Sequence, residues 1–214
     1  MAKRDTIFIS IASYRDKELL PTIEDCLKQA KYPDRLRFGI CWQHSKEDKW
    51  DTLDKYKNDR RFHIIDVDYK DSKGACWARS QIQKFYNGET YTLQLDSHHR
   101  FVYQWDAECI KMHKLAIKQG YPKPLLTSYI PSYFPDNDPE GRLEEPWYLC
   151  FDRIAPEGPL HTKPHTLEGW ETLEGPVPNR FFSGHFAFTT GDFNTKVLYD
   201  PALYFHGEEI TMAV

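Results

Sequence analysis

The first 130 residues alternate between strand and helix patterns, and this alternation constrains the fold more than any other feature. Strand patterns lie at 7–12, 36–42, 62–67 and 91–95, and helix patterns lie at 20–30, 74–85 and 105–118. The first of these, residues 7–12, is an apolar run, as expected for a strand buried on both faces. Right-handed crossovers then predict an α/β fold, with a Rossmann-like, mostly parallel central sheet flanked by helices.

The second part of the chain is rich in loops. Residues 131–178 contain many Pro, Gly, Glu and Trp residues. A stretch of this length in a compact domain predicts a lid or an acceptor surface, and its aromatic residues argue against a disordered insertion. We expect a single domain of 214 residues, with one half at 1–130 and the other at 131–214.

Composition excludes several classes of protein. The net charge of -4 argues against a nucleic-acid binder, which usually carries a basic excess. No apolar run is long enough for a membrane span. The five cysteines are scattered and form no CxxC pair, so we expect reduced thiols in a cytoplasmic protein.

Asp96-Ser97-His98 follows the fourth predicted strand and is the main candidate for chemistry. In an extended chain, residues two apart point the same way, so Asp96 and His98 can meet one divalent cation. Mixed oxygen and nitrogen ligation suits Mn²⁺ or Zn²⁺ better than Mg²⁺. The alternative is a strand-end turn in which Asp96 bonds the backbone. The position at a strand end of an α/β sheet favours the metal, and His99 should point away.

The helix before that strand offers a second candidate site. Gly74 allows close backbone approach at a helix N-terminus, where phosphate groups bind. Arg79, one turn further, can form a fork with a diphosphate oxygen. The alternative is an ordinary helix with a solvated arginine.

Two further segments carry candidate residues. Residues 182–186 have a strand pattern in which Gly184 indicates close approach to a ligand, whereas His185 is better explained as a core histidine. Glu208 and Glu209 follow Gly207 at a predicted helix start. They complement the helix dipole or bond sugar hydroxyls.

Together these segments resemble a known enzyme family. Residues 7–16, the helix with Gly74 and Arg79, residues 95–98, Ser183-Gly184 and the His206-Gly207-Glu208-Glu209 motif recur in that order. The sequence resembles the polypeptide N-acetylglucosaminyltransferases related to a cytoplasmic enzyme that glycosylates hydroxyproline on a ubiquitin-ligase subunit. It is more distantly similar to the mucin-type polypeptide GalNAc-transferases, whose motif is also Asp-x-His.

The resemblance implies a GT-A fold, UDP-GlcNAc as donor, Mn²⁺ or another divalent cation as cofactor, and a retaining transfer to a protein or glycan. The half at 1–130 would bind the nucleotide sugar and the half at 131–214 the acceptor. The resemblance also implies which residues bind the nucleotide sugar. Uracil and ribose would contact Ala12, Ser13, Tyr14 and Arg15, and the rest of the nucleotide sugar would contact Gly74, Arg79, Asp96, Ser97 and Gly184. Asp96 and His98 would ligate the metal, and Glu208 and Glu209 would be the catalytic carboxylates at the sugar and acceptor.

Two alternative functions remain open. An inverting GT-A transferase would use Glu208 or Glu209 as general base, and a non-catalytic module would bind the sugar nucleotide or a glycan without reaction.

In the resembling families a downstream histidine completes the metal ligands, so we expect a C-terminally truncated chain that binds metal weakly. His185 or His206 can replace that histidine, but spacing favours neither.

Overall fold

A six-stranded sheet forms the centre of the computed structural model, which describes residues 4–156, 158, 160–205 and 207–213. The strands are β1 (Ile7–Tyr14), β2 (Leu36–His44), β3 (Phe62–Asp68), β4 (Tyr91–Leu95), β5 (Leu126–Thr127), β6 (Trp147–Ile154), β7 (Leu160–Thr166) and β8 (Phe186–Thr190). The α-helices are α1 (Leu19–Gln29), α2 (Ala75–Gln83), α3 (Trp105–Lys118), α4 (Phe193–Lys196) and α5 (Glu208–Ala213).

The sheet has the order β3-β2-β1-β4-β8-β5. The first four strands in this order are parallel, whereas β8 runs antiparallel to both β4 and β5. The α/β class and the mostly parallel central sheet are therefore confirmed. The antiparallel strand was not predicted from the sequence.

Apolar side chains cover both faces of the sheet. On one face, Ile9 and Leu93 belong to a core cluster that includes Ile23 of α1 and Trp105 of α3. On the other face, Phe8 and its neighbours pack on α2 through Ala78 and Ile82. A strand buried on both faces has no polar side to alternate with, which explains the continuous apolar run in β1.

The second part of the chain differs from its expected form. The loop-rich stretch contains a hairpin of β6 and β7, which form a separate two-stranded sheet. The strand expected at 182–186 begins only at Phe186. In the described part of the chain, no helix is long and apolar enough to cross a membrane.

The register of the sheet brings two connections together. Ile11 of β1 pairs with Leu95 of β4, so both strands end at the same edge. The β1–α1 connection and the segment after β4 therefore lie side by side. Leu95 also pairs with Phe186, so the residue before β8 reaches the same edge.

Candidate functional site

Three side chains meet at this carboxyl edge of the sheet. Asp96 and His98 follow β4, and His185 directly precedes β8. Each offers one ligand atom, and these atoms lie within 4.8 Å of one another. A metal ion could be held by these three side chains, which form the group of this kind found among the residues that the structure describes.

His185 does not have the core position that the sequence favoured. Its side chain is 16% exposed, and its Nδ1 lies 3.2 Å from Asp96 Oδ2. The buried Nε2 has no hydrogen-bond partner among the described residues. Buried polar atoms without partners are rare, and this one belongs to a good metal-ligating group.

The donor set fits a divalent cation. One carboxylate and two imidazoles give mixed oxygen and nitrogen ligation, which suits Mn²⁺ or Zn²⁺. A strand-end turn through Asp96 is not what the structure contains, because the carboxylate oxygens contact Arg79 and His185 instead. The site is thus a possible metal-binding triad of Asp96, His98 and His185.

Arg79 is buried against Asp96. Its Nη2 donates to Asp96 Oδ1 at 2.7 Å, and the residue is 5% exposed, so it is not a solvated helix arginine. Burial favours a raised pKa for Asp96, but the His185 hydrogen bond and the Arg79 charge outweigh it and hold this pKa well below its usual value. Asp96 is therefore ionised over the whole physiological range.

Asp16 is a site residue that the sequence reasoning did not single out. Its Oδ2 accepts the Ser97 hydroxyl at 2.6 Å and lies 2.7 Å from His98 Nδ1. The Ser97 hydroxyl is thereby directed at Asp16. Asp16 follows the end of β1, and the rule that parallel strands end at one ligand-binding edge was the available signal.

His99 lies outside the triad, as expected. It is 3% exposed, and its Nδ1 lies 3.0 Å from the Asp96 carbonyl. Burial lowers the pKa of His99 to about 3, so the ring is neutral. It packs against the His185 ring with a centroid distance of 4.6 Å.

The end of β1 and the residue that follows it form a different surface. Ser13 is buried, whereas Tyr14 is 53% exposed. Arg15 has a positive φ of 45° and pairs with Asp48 at 2.7 Å. Its guanidinium lies 4.6 Å from the centroid of the Tyr69 ring. Ala12 is partly buried within the same strand end.

Gly74 does not leave the N-terminus of α2 open. A Cβ at this position would overlap the Tyr204 carbonyl oxygen. That carbonyl accepts the backbone N–H of Ala75 at 3.0 Å. Tyr204 of the same chain therefore lies against Gly74, in the place where a phosphate group was expected.

Glu208 and Glu209 lie next to Gly184. The Oε1 of Glu209 accepts the Gly184 N–H at 2.8 Å. A Cβ on Gly184 would lie 3.7 Å from Glu209 Oε1 and 3.8 Å from Glu208 Oε1. Burial raises the pKa of Glu209. The structure thus brings both carboxylates beside the residue that precedes His185, while His206 lies outside the described residues.

A family model described as Glycosyltransferase (GlcNAc) matches residues 6–60 and 52–214. The chain belongs to this glycosyltransferase family. None of the curated proteins compared with the sequence matches it.

Two solved structures share the fold of this chain. GalNAc-T7 with UDP, GalNAc and Mn²⁺ has a TM-score of 0.70 at 16% identity, over 100% of this chain and 40% of that one. TarS 1–349 of S. aureus has a TM-score of 0.57 at 11% identity, over 97% of this chain and 54% of that one. The chain thus has a GT-A fold and spans about half the length of these structures or less.

Proposed function

We propose that this chain transfers N-acetylglucosamine from UDP-GlcNAc to a hydroxyl group on a protein or glycan, with retention of anomeric configuration. The observation that carries the proposal is the meeting of Asp96, His98 and His185 at the carboxyl edge of the sheet. Ligands of α/β sheets bind at that edge. Family membership supports GlcNAc as the sugar.

The triad would hold Mn²⁺ or another divalent cation. When bound, that cation would neutralise negative charge on the departing UDP. GalNAc-T7 binds Mn²⁺ in its solved complex, which supports manganese as the first metal to test.

Arg79 serves this site through Asp96. Its buried guanidinium keeps the Asp96 carboxylate ionised and oriented, through one bond of 2.7 Å. Its Nη1 is also buried and makes no hydrogen bond with the described residues. We assign this nitrogen to a diphosphate oxygen, because an ionised donor gains most from an ionised acceptor.

The nucleoside would lie on residues 12–15, at the end of β1. Tyr14 offers an exposed ring, and the pair of Arg15 with Asp48 fixes this segment beside Tyr69. Aromatic rings beside a fixed backbone suit a flat uracil base. Ser97 is an indirect contributor, since its hydroxyl bonds Asp16.

The sugar and acceptor would lie between Gly184 and the two glutamates. Glu209 holds the Gly184 backbone, so that carboxylate fixes the segment leading to His185. In a retaining front-face transfer, the departing phosphate oxygen takes the acceptor proton, and neither glutamate need act as base. Both would hydrogen-bond the sugar or the acceptor instead.

The remaining assignments follow the same proposal. The half at 1–130 binds the nucleotide sugar, and the half at 131–214, with the β6–β7 hairpin, binds the acceptor. A peptide containing hydroxyproline is the first acceptor to test, given the family resemblance. A cytoplasmic location is proposed because all five cysteines are free thiols.

One assay tests the proposal. The chain is incubated with a panel of UDP-sugars and Mn²⁺, with and without acceptor peptides, and released UDP is measured. We expect UDP-GlcNAc to give the fastest release and a chelator to stop it. A product with inverted configuration would favour the inverting enzyme, and tight UDP-GlcNAc binding without any release would favour a binding module.

A further inference from the structure

The Asp16 carboxylate joins the connections that follow β1 and β4. Its Oδ2 accepts the Ser97 hydroxyl at 2.6 Å and lies 2.7 Å from His98 Nδ1. Its Oδ1 accepts the backbone N–H of Glu18 at 2.9 Å. A carboxylate is ionised at neutral pH and only accepts hydrogen bonds, so the donor in this contact is the Nδ1–H of His98.

The His98 ring depends on this contact for its orientation. Its side chain is 50% exposed, and exposed side chains change rotamer readily. The backbone of the same segment is held separately by Thr22 of α1. Thr22 Oγ1 lies 2.9 Å from the Ser97 carbonyl and accepts the His99 N–H at 2.8 Å. Loss of Asp16 should therefore free the ring without freeing the backbone.

We propose that Asp16 is the positioning residue of the candidate metal centre. It holds His98 as the Nδ1–H tautomer and leaves Nε2 as the nitrogen that coordinates a divalent cation beside Asp96 and His185. Carboxylates that hold a metal-ligating histidine in this way fix its tautomer and raise its basicity. The metal itself rests on the proposed function, whereas the tautomer of His98 does not.

The first measurement uses the metal-free wild-type protein. Long-range ¹H–¹⁵N NMR of the imidazole rings, at a pH where His98 is neutral, reports which nitrogen carries the proton. We expect the Nδ1–H tautomer, which a ring free in water does not prefer. The Nε2–H tautomer in the wild type would overturn the proposal without recourse to any variant.

The second measurement compares two variants in Mn²⁺ binding, followed by electron paramagnetic resonance of the free ion. Asp16→Ala should weaken Mn²⁺ binding by about 10- to 100-fold, the usual effect of removing such a partner. Asp106→Ala is the matched control. Like Asp16, Asp106 accepts backbone N–H groups, those of Lys31 and Tyr32 at 2.7 and 2.9 Å, but it lies beyond the other end of α1 and is buried, whereas Asp16 is partly buried.

The outcomes separate this proposal from the proposed function. Equal Mn²⁺ affinity in Asp16→Ala and the wild type would overturn it, as would an equal loss in both variants. Absence of Mn²⁺ binding by the wild type would contradict the metal in the proposed function. In that case, the positioning role is still supported if His98 is the Nδ1–H tautomer in the wild type and no longer so in Asp16→Ala.

Discussion

Gly74 allows a sharp test of how the C-terminal part of the chain is attached. The residue has φ 95° and ψ 174°, a conformation that essentially only glycine adopts. A Cβ there would overlap the Tyr204 carbonyl oxygen and lie 2.8 Å from Tyr204 Cδ2. Gly74→Ala must therefore strain the backbone and displace Tyr204, whose carbonyl accepts the Ala75 N–H.

Two terms set the expected loss of stability. A non-glycine residue in such a conformation costs about 1–3 kcal/mol. Loss of the Ala75–Tyr204 hydrogen bond costs about 0.5–1.5 kcal/mol. We expect the free energy of unfolding to fall by about 1.5–4.5 kcal/mol in Gly74→Ala.

A second glycine separates the strain from the contact. Gly120 has φ 100°, and a Cβ there meets no atom within 4 Å, so Gly120→Ala brings backbone strain alone. Urea unfolding should show the larger loss for Gly74→Ala, and amide exchange at Ala75 should speed up only in that variant. Equal losses, or an Ala75 amide as protected as in the wild type, would refute the packing of Tyr204 on Gly74.

Three other predictions concern single side chains. Asp96→Asn leaves Arg79 buried without its carboxylate, so we expect urea unfolding to show a free energy of unfolding lower by about 2 kcal/mol. We also expect Mn²⁺ binding to disappear, and normal Mn²⁺ binding would contradict the triad. His113 is 1% exposed, and burial lowers the pKa of its imidazole although the Pro124 carbonyl opposes this. The folded state thus binds that proton less readily than the unfolded chain, so wild-type stability falls as the pH drops below about 6.5, by at most about 1.4 kcal/mol per pH unit. His113→Leu should remove this part of the loss in urea titrations at pH 7.5 and 5, and parallel losses in both proteins would argue against it. Glu209→Gln should lower transfer with little change in UDP affinity, and much weaker UDP binding in calorimetry would contradict its place at the sugar or acceptor.

Elements with strong local patterns were predictable from the sequence. The bounds expected for β4 and α3 are those that the structure has, Tyr91–Leu95 and Trp105–Lys118. In both, the apolar spacing is regular and polar or turn residues mark the ends. The end of β4 then located Asp96, Ser97 and His98 at the ligand-binding edge.

Features set by distant parts of the chain were not predictable. His185 reaches Asp96 because β8 pairs antiparallel with β4, in the register that sets Leu95 opposite Phe186. No local pattern gives that register. Gly74 was expected to allow close backbone approach, and the group that approaches it in the structure is Tyr204, which lies 130 positions further along the chain.

Arg79 shows where the sequence held more information than a motif search extracts. In α2 the buried residues include Cys76, Ala78 and Ile82, and Arg79 lies on the same stripe, three residues from both Cys76 and Ile82. A charge on an apolar stripe must be paired within the protein, since burying it alone is very unfavourable. The stripe therefore required a carboxylate at the sheet edge beneath α2, and Asp96 is the one that the structure supplies. This ion pair couples the orientation of Asp96 to the packing of α2 on the sheet.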